Sequence, residues 1–224
     1  MTISIAGYCE KTGQLGIAIS SSSIAVGARC PWLLAGVGAV SSQNITLPAL
    51  GPTALEQLKN GLSPEQALEA ALSSDEFSDY RQVTVLNTKG KSACFSGKNT
   101  LGIHNTVMAK NCVAAGNMLH NQSVINAMTE TFESSEGELT DRLIKALSAG
   151  VKNGGEAGPV HSAAVKVVDN CSWPLVDLRV DWEDVKPIEK LSLLWQDYEP
   201  QMKAYVTRAL DPRDAPSYGV AGDE

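Results

Sequence analysis

Apolar and polar residues alternate from the first residues of the chain. Across residues 2–9, Ile3 and Ile5 fall on one face and Thr2, Ser4 and Ala6 on the other. Leu15, Ile17 and Ile19 repeat the same period across residues 14–20, and the intervening Glu10-Lys11-Thr12-Gly13 has turn chemistry. A period of two with a glycine turn predicts an antiparallel hairpin. Its geometry sets Thr2 opposite the serine run at Ser20 to Ser23. After a loop through Gly27 to Trp32, residues 37–43 form another strand. Gly16, Gly36 and Gly38 weaken these strands intrinsically and point to close approach of a backbone or ligand.

Helical spacing then takes over. A short helix is expected over 52–60, closing at Gly61, and a second opens at Ser63-Pro64-Glu65-Gln66, a capping box with proline at the first position. Strands follow at 82–86, 91–95 and 113–117, the first two joined by Asn87-Thr88-Lys89-Gly90. Period 3.6 returns over 123–133 and 139–151, Gly154-Gly155 breaks it, and strands are expected at 161–168 and 175–180. The final helical stretch carries apolar residues at Ile188, Leu191, Trp195, Tyr198, Met202, Tyr205 and Ala209. This heptad-like seam either packs on the protein's own sheet or forms a homodimer contact. Pro200 predicts a kink or two shorter helices.

Strands joined mostly by hairpins and interrupted by helix pairs indicate an α+β fold with antiparallel sheets. Two sheets face to face with helices outside would explain strands that are almost wholly small or apolar. Residues 1–210 read as one domain, and the polar tail over 211–224 is expected to be disordered.

Composition narrows the function classes. The 224 residues include 18 basic and 25 acidic side chains, a net charge of −7. That balance argues against nucleic-acid or anionic-membrane binding. No apolar run is long enough to span a bilayer and no signal-peptide pattern opens the chain. Five scattered cysteines without a CxxC pair fit a reducing cytoplasm, with the thiols serving as small buried hydrophobes. Three dispersed histidines give no metal-ligand spacing, and no P-loop, GxSxG or HExxH occurs, so neither metal nor cofactor is expected.

The chemistry concentrates at Thr2. Loss of Met1 would leave a threonine whose hydroxyl is a nucleophile and whose α-amine, with a reference pKa of roughly 7.7–8.0, is a base matched to neutral pH. Asn117, after Gly116 at a strand end, is the candidate oxyanion donor, with a turn role as the alternative. Ser20 and Ser21 are placed by the hairpin to hold the amine. Gln43 and Asn44 close a strand and could bind a carboxylate or amide. Arg29 could clamp a carboxylate or simply lie exposed in its loop. His161 is a candidate for proton transfer or substrate contact, or else a strand-end cap.

Thr2-x-Ser4-Ile5-Ala6, the blocks from Ala25 to Trp32 and from Ala35 to Gln43, and Gly116-Asn117-Met118-Leu119 resemble the bacterial family known as domain of unknown function 1028. Arg81-Gln82-Val83, Ser162-Ala163-Ala164 and Asp177 to Asp181 extend the resemblance over about residues 2–195. It implies an N-terminal-nucleophile (Ntn) hydrolase fold, a four-layer αββα sandwich. It also implies amide hydrolysis; with Thr2 opening the first strand, the expected reaction is cleavage of a small amide or ureido compound, and the alternative is a non-catalytic binder of a small molecule or protein on the same scaffold. Histidine at 161 in place of glutamine, Cys94 to Lys98, and Trp182-Glu183 depart from the family pattern.

Overall fold

The computed structural model describes residues 1–222. The opening hairpin is β1 (Thr2–Tyr8) and β2 (Leu15–Ser21), antiparallel, with Thr2 opposite Ser21 and Ser4 opposite Ile19. β3 (Pro31–Leu34) and β4 (Gly38–Asn44) follow, then α1 (Leu50–Lys59) and α2 (Pro64–Ser73). β5 (Arg81–Asn87), β6 (Ser92–Ser96), β7 (Asn105–Ala109) and β8 (Cys112–Asn117) precede α3 (Ser123–Ser134) and α4 (Leu139–Lys152). β9 (Ser162–Val168), β10 (Val176–Val180) and α5 (Pro187–Leu210) complete the order.

The strands form a six-stranded sheet, β10-β9-β2-β1-β8-β7, and a four-stranded sheet, β3-β4-β5-β6, with antiparallel neighbours throughout. Period-two alternation divides each strand between two apolar layers. Ile3 and Ile5 of β1 pack with Ile125, Met128 and Phe132 of α3 and Leu143 and Leu147 of α4. Ala6, Ile17 and Ile19 face the second sheet and meet Ala39 and Leu86. Val40, Val83 and Val85 turn outward onto Leu55 and Leu58 of α1 and Leu68 and Ala71 of α2. The result is a four-layer αββα sandwich, the architecture expected from the sequence.

The Ser63 capping box forms as expected, with Ser63 Oγ accepting from Gln66 N and the Gln66 side chain accepting from Ser63 N. Gly16 and Gly38 are close-approach positions. A Cβ on Gly16 would lie 2.6 Å from Leu143 Cδ1, and one on Gly38 would lie 2.5 Å from Leu58 Cδ1 and 2.7 Å from Leu86 O. Gly36 differs. It lies in the β3–β4 turn at φ +71°, with nothing near its would-be Cβ.

Three expectations are corrected. Residues 31–34 lie in a strand, β3, and β7 is a strand that alternation had not marked. Both are edge strands, half-exposed and without clean alternation, and Pro31 opens β3, where its missing N–H leaves no ladder bond unmade. The last helix is one continuous element through Pro200 and not two shorter helices; Pro200 is exposed, so the carbonyl deprived of its donor can turn to water. Ile188, Leu191, Trp195 and Met202 of the seam are buried on the protein's own sheet. The expected tail is described as far as residue 222, and residues 223 and 224 lie outside the described residues. Among the described residues, no helix is long and apolar enough to cross a membrane.

Candidate active site

The ends of three neighbouring inner strands of the larger sheet, β2, β1 and β8, lie side by side. Thr2 opens β1, Ser21 ends β2 opposite it, and Asn117 ends β8 opposite it on the other side. Residues in register project to the same face of a sheet, so these three polar side chains gather between the sheets. All are buried, Thr2 at 6% exposure and Asn117 at 1%. Thr2 Oγ1 lies 3.2 Å from Ser21 Oγ, and both hydroxyls donate to the Met1 carbonyl, at 2.7 and 2.6 Å. The Met1 amine reaches Ser22 Oγ at 3.4 Å.

A buried chain of amides underlies Asn117. Gln82 of β5 donates from Nε2 to the Gly116 carbonyl and to Ser96 Oγ, both at 3.0 Å. A carbonyl can only accept, so this contact fixes which way the Gln82 amide points. Its Oε1 therefore faces two donors, Gln43 Nε2 at 2.8 Å and Asn117 Nδ2 at 3.1 Å. Gln43 Oε1 in turn accepts from Ser4 Oγ at 2.6 Å and Ser41 Oγ at 3.2 Å. The chain is thus oriented end to end by one main-chain carbonyl. It holds Asn117 with one Nδ2 hydrogen engaged by Gln82 Oε1.

The residue after Asn117 is strained. Met118 has φ +49°, a conformation that costs a non-glycine residue about 1 kcal/mol or more. It persists because Met118 N donates to Leu101 O, while Met118 O accepts from Ala157 N. The second of these contacts brings in Glu156, which bridges to Leu119. Glu156 is buried, accepting from Ser20 Oγ and from Ser22 N, each at 3.2 Å. Burial pushes its carboxyl pKa up to about 8, against the pull of the nearby terminal ammonium.

Of the residues expected from sequence, Thr2, Ser21, Asn117 and Gln43 are brought together. Ser20 projects to the other face and holds Glu156 rather than Thr2. His161 joins through its backbone, donating N–H to Ser21 O, while its ring stacks on Trp182 at 4.3 Å. Its Nδ1 lies 3.4 Å from Asp184 Oδ1. Two residues are engaged elsewhere. Asn44, at φ +72°, latches Tyr80 O and Leu101 N, a turn role, and Arg29 Nη1 donates to the Ile24 and Ala25 carbonyls. Gln82 and Glu156 were not singled out from sequence. A glutamine amid the apolar residues of β5 was the available signal for the first, and nothing local marked the second.

Burial lifts the Cys30 thiol to about 11 and that of Cys112 to about 12, which keeps both protonated and unreactive at neutral pH. Among the described residues, no three His, Cys, Asp or Glu side chains gather to hold a metal ion.

The model of a family described as a family of unknown function (DUF1028) matches residues 2–191. The chain belongs to that family. A DUF1028 protein from Silicibacter pomeroyi has a crystal structure similar to this chain at TM-score 0.83 and 32% identity, over 88% of this chain and 85% of that one. Anbu from Hyphomicrobium sp. strain MC1 matches at TM-score 0.45 and 9% identity, over 97% of this chain and 100% of that one. Anbu (ancestral beta-subunit) from Yersinia bercovieri matches at TM-score 0.43 and 10% identity, over 90% and 96%. Likenesses this slight decide nothing about chemistry. No curated protein matches the chain.

Proposed function

We propose that this DUF1028 protein, once Met1 is cleaved away, is an N-terminal-nucleophile amidohydrolase acting on a small amide or ureido compound. The observation that carries the proposal is the junction of β1, β2 and β8, where the Thr2 hydroxyl sits beside Ser21 and in register with the anchored Asn117. The Thr2 hydroxyl attacks the amide carbonyl while the freed α-amine takes its proton and passes it to the departing nitrogen. The second Nδ2 hydrogen of Asn117 is offered to the oxyanion, a contact worth roughly 3–4 kcal/mol where such donors have been removed. Water then attacks the Thr2 ester, returning the hydroxyl and releasing the acid.

The contacts of Met1 favour a second reading, a non-catalytic binder. With Met1 in place, its carbonyl engages both hydroxyls and Thr2 has no free amine. The two readings separate at one position. In protein lacking Met1, hydrolysis predicts that Thr2→Ala abolishes turnover of a panel of small amides and Thr2→Ser retains part of it. A binder shows no Thr2-dependent turnover in either case.

A further inference from the structure

Met1 itself outlines a binding site. Three of its groups are held by different parts of the fold. Its carbonyl oxygen accepts from Thr2 Oγ1 and Ser21 Oγ, the hydroxyls at the centre of the candidate site. Its ammonium approaches Ser22 Oγ at 3.4 Å, and the amide of the same Ser22 donates to Glu156, a buried carboxyl that also accepts from Ser20 Oγ. Its side chain lies along Gly158, so closely that a Cβ there would sit 2.6 Å from Met1 Cε and 3.2 Å from Sδ. Glu156 and Gly158 also line a cavity of about 380 Å³ that continues past Pro159 and Val160. A carboxyl this deeply buried has little structural reason to be acidic. Glutamine could take up the contacts with Ser20 and Ser22, whereas a carboxyl held neutral by burial can give up its proton and become a carboxylate when an ammonium comes to lie beside it.

Resting on the Thr2 proposal, we infer that cleavage of Met1 opens an acyl-group subsite, and that Ser22, Glu156 and Gly158 select substrates whose acyl portion is an α-amino acid carrying a free ammonium. In Met1 the acyl carbon is bonded to Thr2 N; in the acyl-enzyme it would be bonded to Oγ1 of the same residue. The amine and side chain of the acyl group then fall where those of Met1 lie. The substrate class is therefore α-aminoacyl amides. Attack by Thr2 Oγ1 breaks their C–N bond, the amide nitrogen leaves with the proton taken by the Thr2 amine, and water releases the free amino acid from the ester.

The test separates binding from turnover. Thr2→Ala protein lacking Met1 is titrated by calorimetry with L-methioninamide, with N-acetyl-L-methioninamide, and with 4-(methylthio)butanamide, which lacks the amine. The expected result is binding of the first at least tenfold tighter than either other compound. Glu156→Gln should erase that difference. Gly158→Ala should weaken L-methioninamide severalfold and leave glycinamide unchanged, which a loss of folding would not do. Equal affinity for the three compounds, or no binding of any by protein with an intact unfolding transition, overturns the subsite. If the pattern holds but Thr2-bearing protein does not hydrolyse L-methioninamide, the subsite stands and the Thr2 chemistry falls. If acetylated and free amides are turned over equally, the chemistry stands and the subsite falls.

Discussion

Replacing Gln82 by leucine removes the hub of the amide chain while keeping much of its volume. The side chain is fully buried and makes four hydrogen bonds, two given and two received. Their loss is unequal. The Gly116 carbonyl has a second lone pair, and Ser96 Oγ is only part-buried and can meet water. Gln43 Nε2 and Asn117 Nδ2 are enclosed and lose their shared acceptor. Each such orphan costs about 1–3 kcal/mol, so Gln82→Leu should destabilise the protein by about 3 kcal/mol. In a chain of this size that corresponds to a fall of about 6–12 °C in the unfolding midpoint. The exposed Gln201→Leu serves as a control and should change stability by less than about 0.5 kcal/mol. A double-mutant cycle with Asn117→Leu sharpens the test. Once the donor is gone the acceptor is needed less, so the double variant should be about 1–2 kcal/mol more stable than the sum of the singles. Additive losses, or a Gln82→Leu effect as small as the control, would refute the account of Gln82 as the group that anchors Asn117.

Glu156 makes stability depend on pH. Its carboxyl is raised from 4.5 to about 8 in the fold, so the native state holds a proton that the unfolded chain gives up in this range. Stability is therefore greatest below the lower value and falls as pH rises towards 8, by up to about 1.4 kcal/mol per pH unit. Urea unfolding between pH 5 and 8.5 should show that slope, and Glu156→Gln should remove most of it. Gly7→Ala should cost about 1–3 kcal/mol by the same assay, because the new methyl would lie 2.5 Å from Phe132 Cζ in a fully buried layer.

Much of the scaffold was legible because burial on both faces leaves a periodic trace. The alternation of Ile3, Ile5, Leu15, Ile17 and Ile19 was enough to set Thr2 opposite the serine run at Ser20 to Ser23, within which the register pairs it with Ser21. The strands that left no such trace, β3 and β7, are edges whose faces are only partly covered. Thr2 and Ser21 were legible as neighbours because a hairpin sets its strand ends opposite each other; Asn117 was legible as a strand-end amide, but its pairing with Thr2 was not. Gln82 and Glu156 were not, since a polar residue becomes part of a buried network through partners far along the chain. Gln82 meets Gly116, and Glu156 meets Ser20, across 34 and 136 residues. Asn44 shows the converse. An asparagine ending a strand resembles a site residue in sequence, yet its left-handed backbone makes it a local latch.

The most direct test of Thr2 as nucleophile is the intact mass of the untagged protein from its native host, before and after brief exposure to L-methionine p-nitrophenyl ester. The account predicts a chain lacking Met1 that gains one aminoacyl group, mapped to Thr2 and absent from Thr2→Ala. Full retention of Met1, or labelling that persists in Thr2→Ala, would contradict it.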